Sequence, residues 1–201
     1  MLRPELALAQ PDPALLRKAQ RGDQHAFAVI VRAYERPIYN YILRLVGDRA
    51  LAEDLTQEVF LRVHQGLAGF GLRSSFTTWL FQVTKNRVLD ELRALERRPR
   101  NVVNIDDIVS VAVLDPPYER SETISAVWRA VGELNVDLKM ALLLRDVVGL
   151  SYTEIADSLE TTLATVKWRI YKAREEVQAA LVREGITVGV SHPPAGVSAV
   201  T

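Results

Sequence analysis

The sequence predicts an all-α protein of two small helical domains joined by a flexible linker, the second of them a helix-turn-helix, and three observations carry that expectation. Apolar residues recur at the helical period along nearly the whole chain. No stretch of β-branched alternation is bounded by turn signals on both sides. Between residues 101 and 126 the composition changes: five acids (Asp106, Asp107, Asp115, Glu119, Glu122) stand against one base, Arg120, with Pro116-Pro117 among them.

Each element follows from its pattern. A short helix spans Ala14 to Gln20, and Gly22-Asp23 then supplies a turn and an N-cap. Phe27, Ile30, Val31, Tyr34, Ile38, Tyr41, Ile42 and Leu45 form the next apolar stripe, which Pro37 is expected to kink or interrupt. Gly47-Asp48 ends it and caps a third helix, Leu51 to Leu67, with Ala52, Leu55, Val59, Phe60, Val63 and Leu67 on one side. A glycine-bearing loop, residues 69 to 75, leads into a helix from Phe76 to Arg98. The domain boundaries drawn from these patterns are 1–98, a linker at 99–123, a second helical block at 124–184, and an aperiodic, disordered tail at 185–201.

Composition narrows the function. With 25 basic and 25 acidic residues, any nucleic-acid surface must be local. The absence of cysteine excludes disulfides, thiolate chemistry and the usual zinc fingers, and fits a cytoplasmic protein. No apolar run is long enough to cross a bilayer, so no membrane insertion is expected, and the first residues carry acids and prolines where a signal peptide would be apolar. His25, His64 and His192 are scattered, and no carboxylate cluster has metal-ligand spacing. The chain is therefore expected to be no enzyme and to need no cofactor.

The chemistry lies on helix faces. Ser151-x-x-Glu154 has capping-box form, and Ile155, Ala156 and Leu159 give the helix it opens a buried side. Thr161-Thr162 supplies a turn and a second cap, after which Val166, Ile170, Ala173, Val177 and Leu181 point inward. The opposite face shows Trp168, Tyr171 and Lys172, with Lys167 and Arg174 on its flanks. Between Leu163 and Arg174 there are four bases and no acid. Basic residues alone would be a solvated face, but large aromatics opposite the core need a reason. Docking in the major groove supplies one.

In the first block, the outer face of the third helix presents Asp54, Gln57, Glu58 and Gln65 around a leucine, Leu61. On the next helix, Leu80, Phe81, Thr84, Val88, Leu92 and Leu95 form one apolar side. A second line runs Phe76, Trp79, Val83, Asn86, Asp90, Arg93, grading from aromatics into amides and charges. Trp79 could simply be core. A face of this kind could also stack and hydrogen-bond unpaired bases while nearby cations, six from Lys85 to Arg100, grip the backbone.

AEDLTQEVFLRVHQGL (52–67) and SSFTTWLFQVTKNRVLDELR (74–93) resemble region 2 of the extracytoplasmic-function sigma factors of the sigma-70 superfamily, and LLLRDVVGLSYTEIADSLETTLATVKWRIYKARE (142–175) resembles their region 4. The resemblance implies a promoter-specificity subunit of bacterial RNA polymerase. Core polymerase would bind through its clamp coiled coil to Asp54, Gln57, Glu58, Leu61 and Gln65, and through its flap elsewhere. Ser74, Ser75, Phe76, Trp79, Asn86, Arg87, Asp90 and Arg93 would engage the minus-ten element, with a flipped base held at the loop from Gly71 to Ser75. Thr165, Lys167, Trp168, Arg169, Tyr171, Lys172 and Arg174 would engage the minus-thirty-five element. The acidic linker would thread the channels of polymerase. Promoter DNA, core polymerase and an anti-sigma factor are the implied partners of a chain that is monomeric when free. The alternative is a helix-turn-helix regulator acting without replacing the sigma subunit, although no alternating strand-helix pattern of a receiver precedes the second block.

Overall fold

The computed structural model describes residues 8–71, 74–97 and 122–186. The linker and tail expected from the sequence fall almost wholly outside them. Eight α-helices are described: α1 (Pro13–Gln20), α2 (Gln24–Val46), α3 (Arg49–Gly66), α4 (Phe76–Arg97), α5 (Glu122–Glu133), α6 (Val136–Asp146), α7 (Tyr152–Leu159) and α8 (Leu163–Arg183). A 3-10 turn, Leu67–Gly69, follows α3. Among the described residues there is no strand, and no helix is long and apolar enough to cross a membrane.

The caps are where short polar side chains meet helix starts. Asp12, Asp23 and Asp48 accept from the first amides of α1, α2 and α3. Gly47 ends α2 with φ 75°, a conformation in which any side chain would be strained. α2 runs through Pro37 without a break, so the proline does not interrupt the helix. Proline removes one hydrogen bond there, but Tyr34, Ile38, Tyr41 and Ile42, all buried, hold both sides of it in the core. In the second block the apolar pattern of Ile124, Val127, Trp128, Val131 and Leu134 continues in the sequence through Leu138, Ala141, Leu142 and Leu144, but the helix breaks within it. At Leu134-Asn135 the chain turns, and Asn135 caps α6 by accepting from Asp137 and Leu138.

In the first unit α2 packs on α1, α3 and α4, and in the second α8 packs on α5, α6 and α7. Phe81 meets Tyr41 edge to face with ring centroids 5.3 Å apart. The two units also touch, α4 against α7 and α2 against α6, so the apolar interior is continuous across them.

Candidate nucleic-acid interface

The helix-turn-helix is fixed by local chemistry. The capping box forms as the sequence indicates: Glu154 N donates to Ser151 Oγ, and Ser151 N donates to Glu154. Glu160 then reverses the chain with φ 53° and ψ 48°. A non-glycine residue in this left-handed region costs roughly 1 kcal/mol. Thr162 caps α8, accepting from Thr165 N at 3.1 Å. Val166, Ile170 and Ala173 are buried, which turns Trp168 and Tyr171 outward at 59% and 62% exposure. Lys167 is exposed beside them.

The other bases expected on this surface have internal partners. Arg174 makes a two-point contact with Asp146 on α6, which holds its guanidinium charge more firmly. Arg169 donates to Asp137 at 2.8 Å. Both therefore brace α8 against α6, a role the sequence did not reveal because their partners lie about thirty positions away. Lys172 pairs with Glu175 on its own helix, which raises its pKa. Thr165 belongs to the cap.

On α4, Ser75 accepts from Thr78 N and so caps the helix start, while Gln10 exchanges hydrogen bonds with Thr77. Ser74 and Ser75 are partly exposed; their neighbours Leu72 and Arg73 lie outside the described residues. Phe76 departs from expectation. It is 3% exposed, packed edge to face on Tyr34 and Phe70, and is a core residue. Trp79 is half-buried, its ring stacked on Phe70 with centroids 4.8 Å apart and lying close over Gly66, where an added Cβ would come within 3.2 Å of it. The ring is thus packed in part and exposed in part. Asn86 and Asp90 are exposed on the same line, and Asp90 lies 3.6 Å from Arg62 and 3.9 Å from Arg93. Arg87 is buried instead, donating to Glu58 and Glu91. Its position is structural.

Asp54, Gln57, Leu61 and Gln65 line the outside of α3 as expected, with Leu61 at 62% exposure. Glu58 leans away toward Arg87, whose hydrogen bond holds its carboxyl below the usual glutamate range. Three residues that sequence reasoning did not single out join the units: Lys85 and Gln82 on α4 both reach Glu160.

Comparison with known proteins agrees over both units. The family models Sigma-70 region 2 and Sigma-70, region 4 match residues 30–98 and 124–177. The RNA polymerase sigma-H factor of Pseudomonas aeruginosa is 34% identical over 182 residues, 86% of this chain and 94% of that protein. The ECF RNA polymerase sigma-E factor of Escherichia coli K12 is 32% identical over 178 residues, 83% and 92% of the two chains. Among solved structures, the sigma factor RpoE in complex with the anti-sigma factor NepR from Bartonella quintana superposes with a TM-score of 0.68 at 23% identity, covering 78% of this chain and 96% of that one. CnrH in complex with the cytosolic domain of CnrY does so at 0.63 and 21%, covering 85% and 97%.

Proposed function

The chain belongs to the extracytoplasmic-function sigma factors of the sigma-70 family and is a promoter-specificity subunit of bacterial RNA polymerase; from that premise we propose which of its surfaces do the work. The observation that carries the reading is the exposed aromatic pair Trp168 and Tyr171 on the outer face of the second helix of a helix-turn-helix. Burying such rings on a partner removes large apolar areas from water, and with Lys167 and Lys172 beside them the partner is duplex DNA at the minus-thirty-five element.

Asn86, Asp90, Arg93 and the open side of Trp79 receive the unpaired minus-ten strand, aided by Ser74 and Ser75 at the helix start. An amide can bond a base edge and an indole can support an unstacked base. Asp54, Gln57, Leu61 and Gln65 dock on the clamp of core polymerase. The chain itself performs no catalysis and acts in the cytoplasm, where polymerase is. Two of its structural neighbours are described as complexes with the cytosolic domain of CnrY and with an anti-sigma factor, which supports an anti-sigma partner here as well. The reading is tested by adding purified chain to core polymerase. Transcription should start from a cognate promoter without another initiation factor, and a requirement for a second sigma factor would favour the regulator alternative.

A further inference from the structure

Glu160 combines two observations that neither helix explains alone. It occupies a left-handed backbone conformation at the turn of the helix-turn-helix, where glycine would fit without strain. Its side chain leaves its own unit and is held by two residues of α4: Gln82 Nε2 donates to Oε1 at 2.9 Å, and the ammonium of Lys85 pairs with Oε2. Lys85 has only 8% of its side chain exposed, so its charge is largely removed from water and depends on this partner. Two residues earlier Ser158, fully buried, donates to the Thr78 carbonyl at 3.2 Å. Elsewhere between the units, the Arg44 guanidinium on α2 lies 3.3 Å from the centre of the Trp128 ring on α5.

We propose that Glu160 is a latch, which holds the helix-turn-helix against the Thr78, Gln82 and Lys85 face of α4 and keeps the free chain closed until that contact is released. A closed body of this length is about 40 Å across. Promoter elements centred near minus ten and minus thirty-five lie about 25 base pairs apart, or about 85 Å along the duplex. One closed chain cannot reach both, so the latch must open before both elements are engaged. The contact leaves Trp168, Tyr171 and Asn86 exposed, so what it withholds is reach rather than either surface. This consequence for promoter binding rests on the proposed function; the closed state of the free chain does not.

The chain has no cysteine, so Ala50→Cys with Ala179→Cys, both at exposed positions, allows a dye pair to report the separation of the units in the full-length protein. Wild type should give one narrow distance distribution. Glu160→Gly suits the turn yet removes both cross-unit bonds, and should raise the ratio of open to closed chain about tenfold or more while helix content stays the same. Gln82→Ala, which leaves the turn untouched, should shift the ratio in the same direction by less. A broad, long-distance distribution in wild type would overturn the closed state, and distributions in both folded variants that superimpose on wild type would overturn the latch. Because the readout is a distance in the free protein, a failure to bind promoters would count against the proposed function and leave the latch standing.

Discussion

Arg87 on α4 donates to Glu58 on α3 and, at 2.7 Å, to Glu91 one turn further along its own helix. A single guanidinium therefore ties the helix proposed to receive unpaired bases to the helix proposed to dock on polymerase. The arginine is buried, and the Glu91 side chain is 14% exposed. The pair fixes the angle at which the two surfaces are presented.

Replacing Arg87 with Met should cost about 2 kcal/mol of stability, because Glu91, with only 14% of its side chain exposed, would be left without its partner. Glu58→Gln should cost less than about 1 kcal/mol, since Glu58 is half-exposed and Arg87 keeps Glu91. The Glu58 carboxyl is held low by the hydrogen bond from Arg87, with the charges of Arg87 and Arg62 adding to it. A depressed acid contributes stability above its ordinary value, about 4.3, and loses that contribution as pH falls through the lower, folded-state value. Thermal melts of wild type and Glu58→Gln should therefore converge below that range. A gap that persists in acid would contradict the assignment.

Much of this was legible in the sequence, and the remainder has a common cause. The two units, the capping box at Ser151 and the outward aromatics Trp168 and Tyr171 follow from local periodicity, which the chain carries in its own neighbours. Arg87, Arg169 and Arg174 looked like nucleic-acid contacts because a helix face shows charge but not the distant carboxylate that neutralises it. Phe76 lay in line with Trp79 and Asn86, yet its ring turns inward onto Tyr34. Pro37 was expected to kink or interrupt α2, and the tertiary burial on both sides that keeps the helix unbroken is not visible in local sequence. Glu160 gave no signal at all, since a backbone in the left-handed region is visible only in three dimensions.

Leu61 stands exposed among acids and amides on α3. Leu61→Arg should weaken binding to core polymerase at least tenfold, the effect of losing one well-packed apolar anchor and desolvating a charge in its place. Circular dichroism should show unchanged helix, because that side chain is mostly exposed among the described residues. Wild-type affinity in the folded variant would remove α3 from the polymerase interface.

The face of α8 should divide its labour. Trp168→Ala should change the ranking of minus-thirty-five variants, whereas Lys172→Ala should weaken binding to all of them and lower the salt slope by no more than about 0.9. The Lys172 change should fall short of that ceiling because its ammonium already pairs with Glu175 and must exchange one partner for another. Salt-dependent gel shifts on duplexes of varied sequence measure both. Wild-type ranking, affinity and slope in both variants would mean that this face does not read DNA.

The central claim, that this chain captures unpaired bases on α4, is tested most directly by permanganate reactivity of promoter thymines with Asn86→Ala. Asn86 is exposed on α4, so its loss should leave the fold, core-polymerase binding and closed-complex affinity nearly unchanged. Thymine reactivity should fall about tenfold, the loss of one or two hydrogen bonds made only to open DNA. A pre-melted promoter should recover part of the loss and no more, because melting is supplied while base capture remains impaired. Wild-type reactivity with unchanged affinity would contradict the claim and return Asn86 to a solvated surface residue.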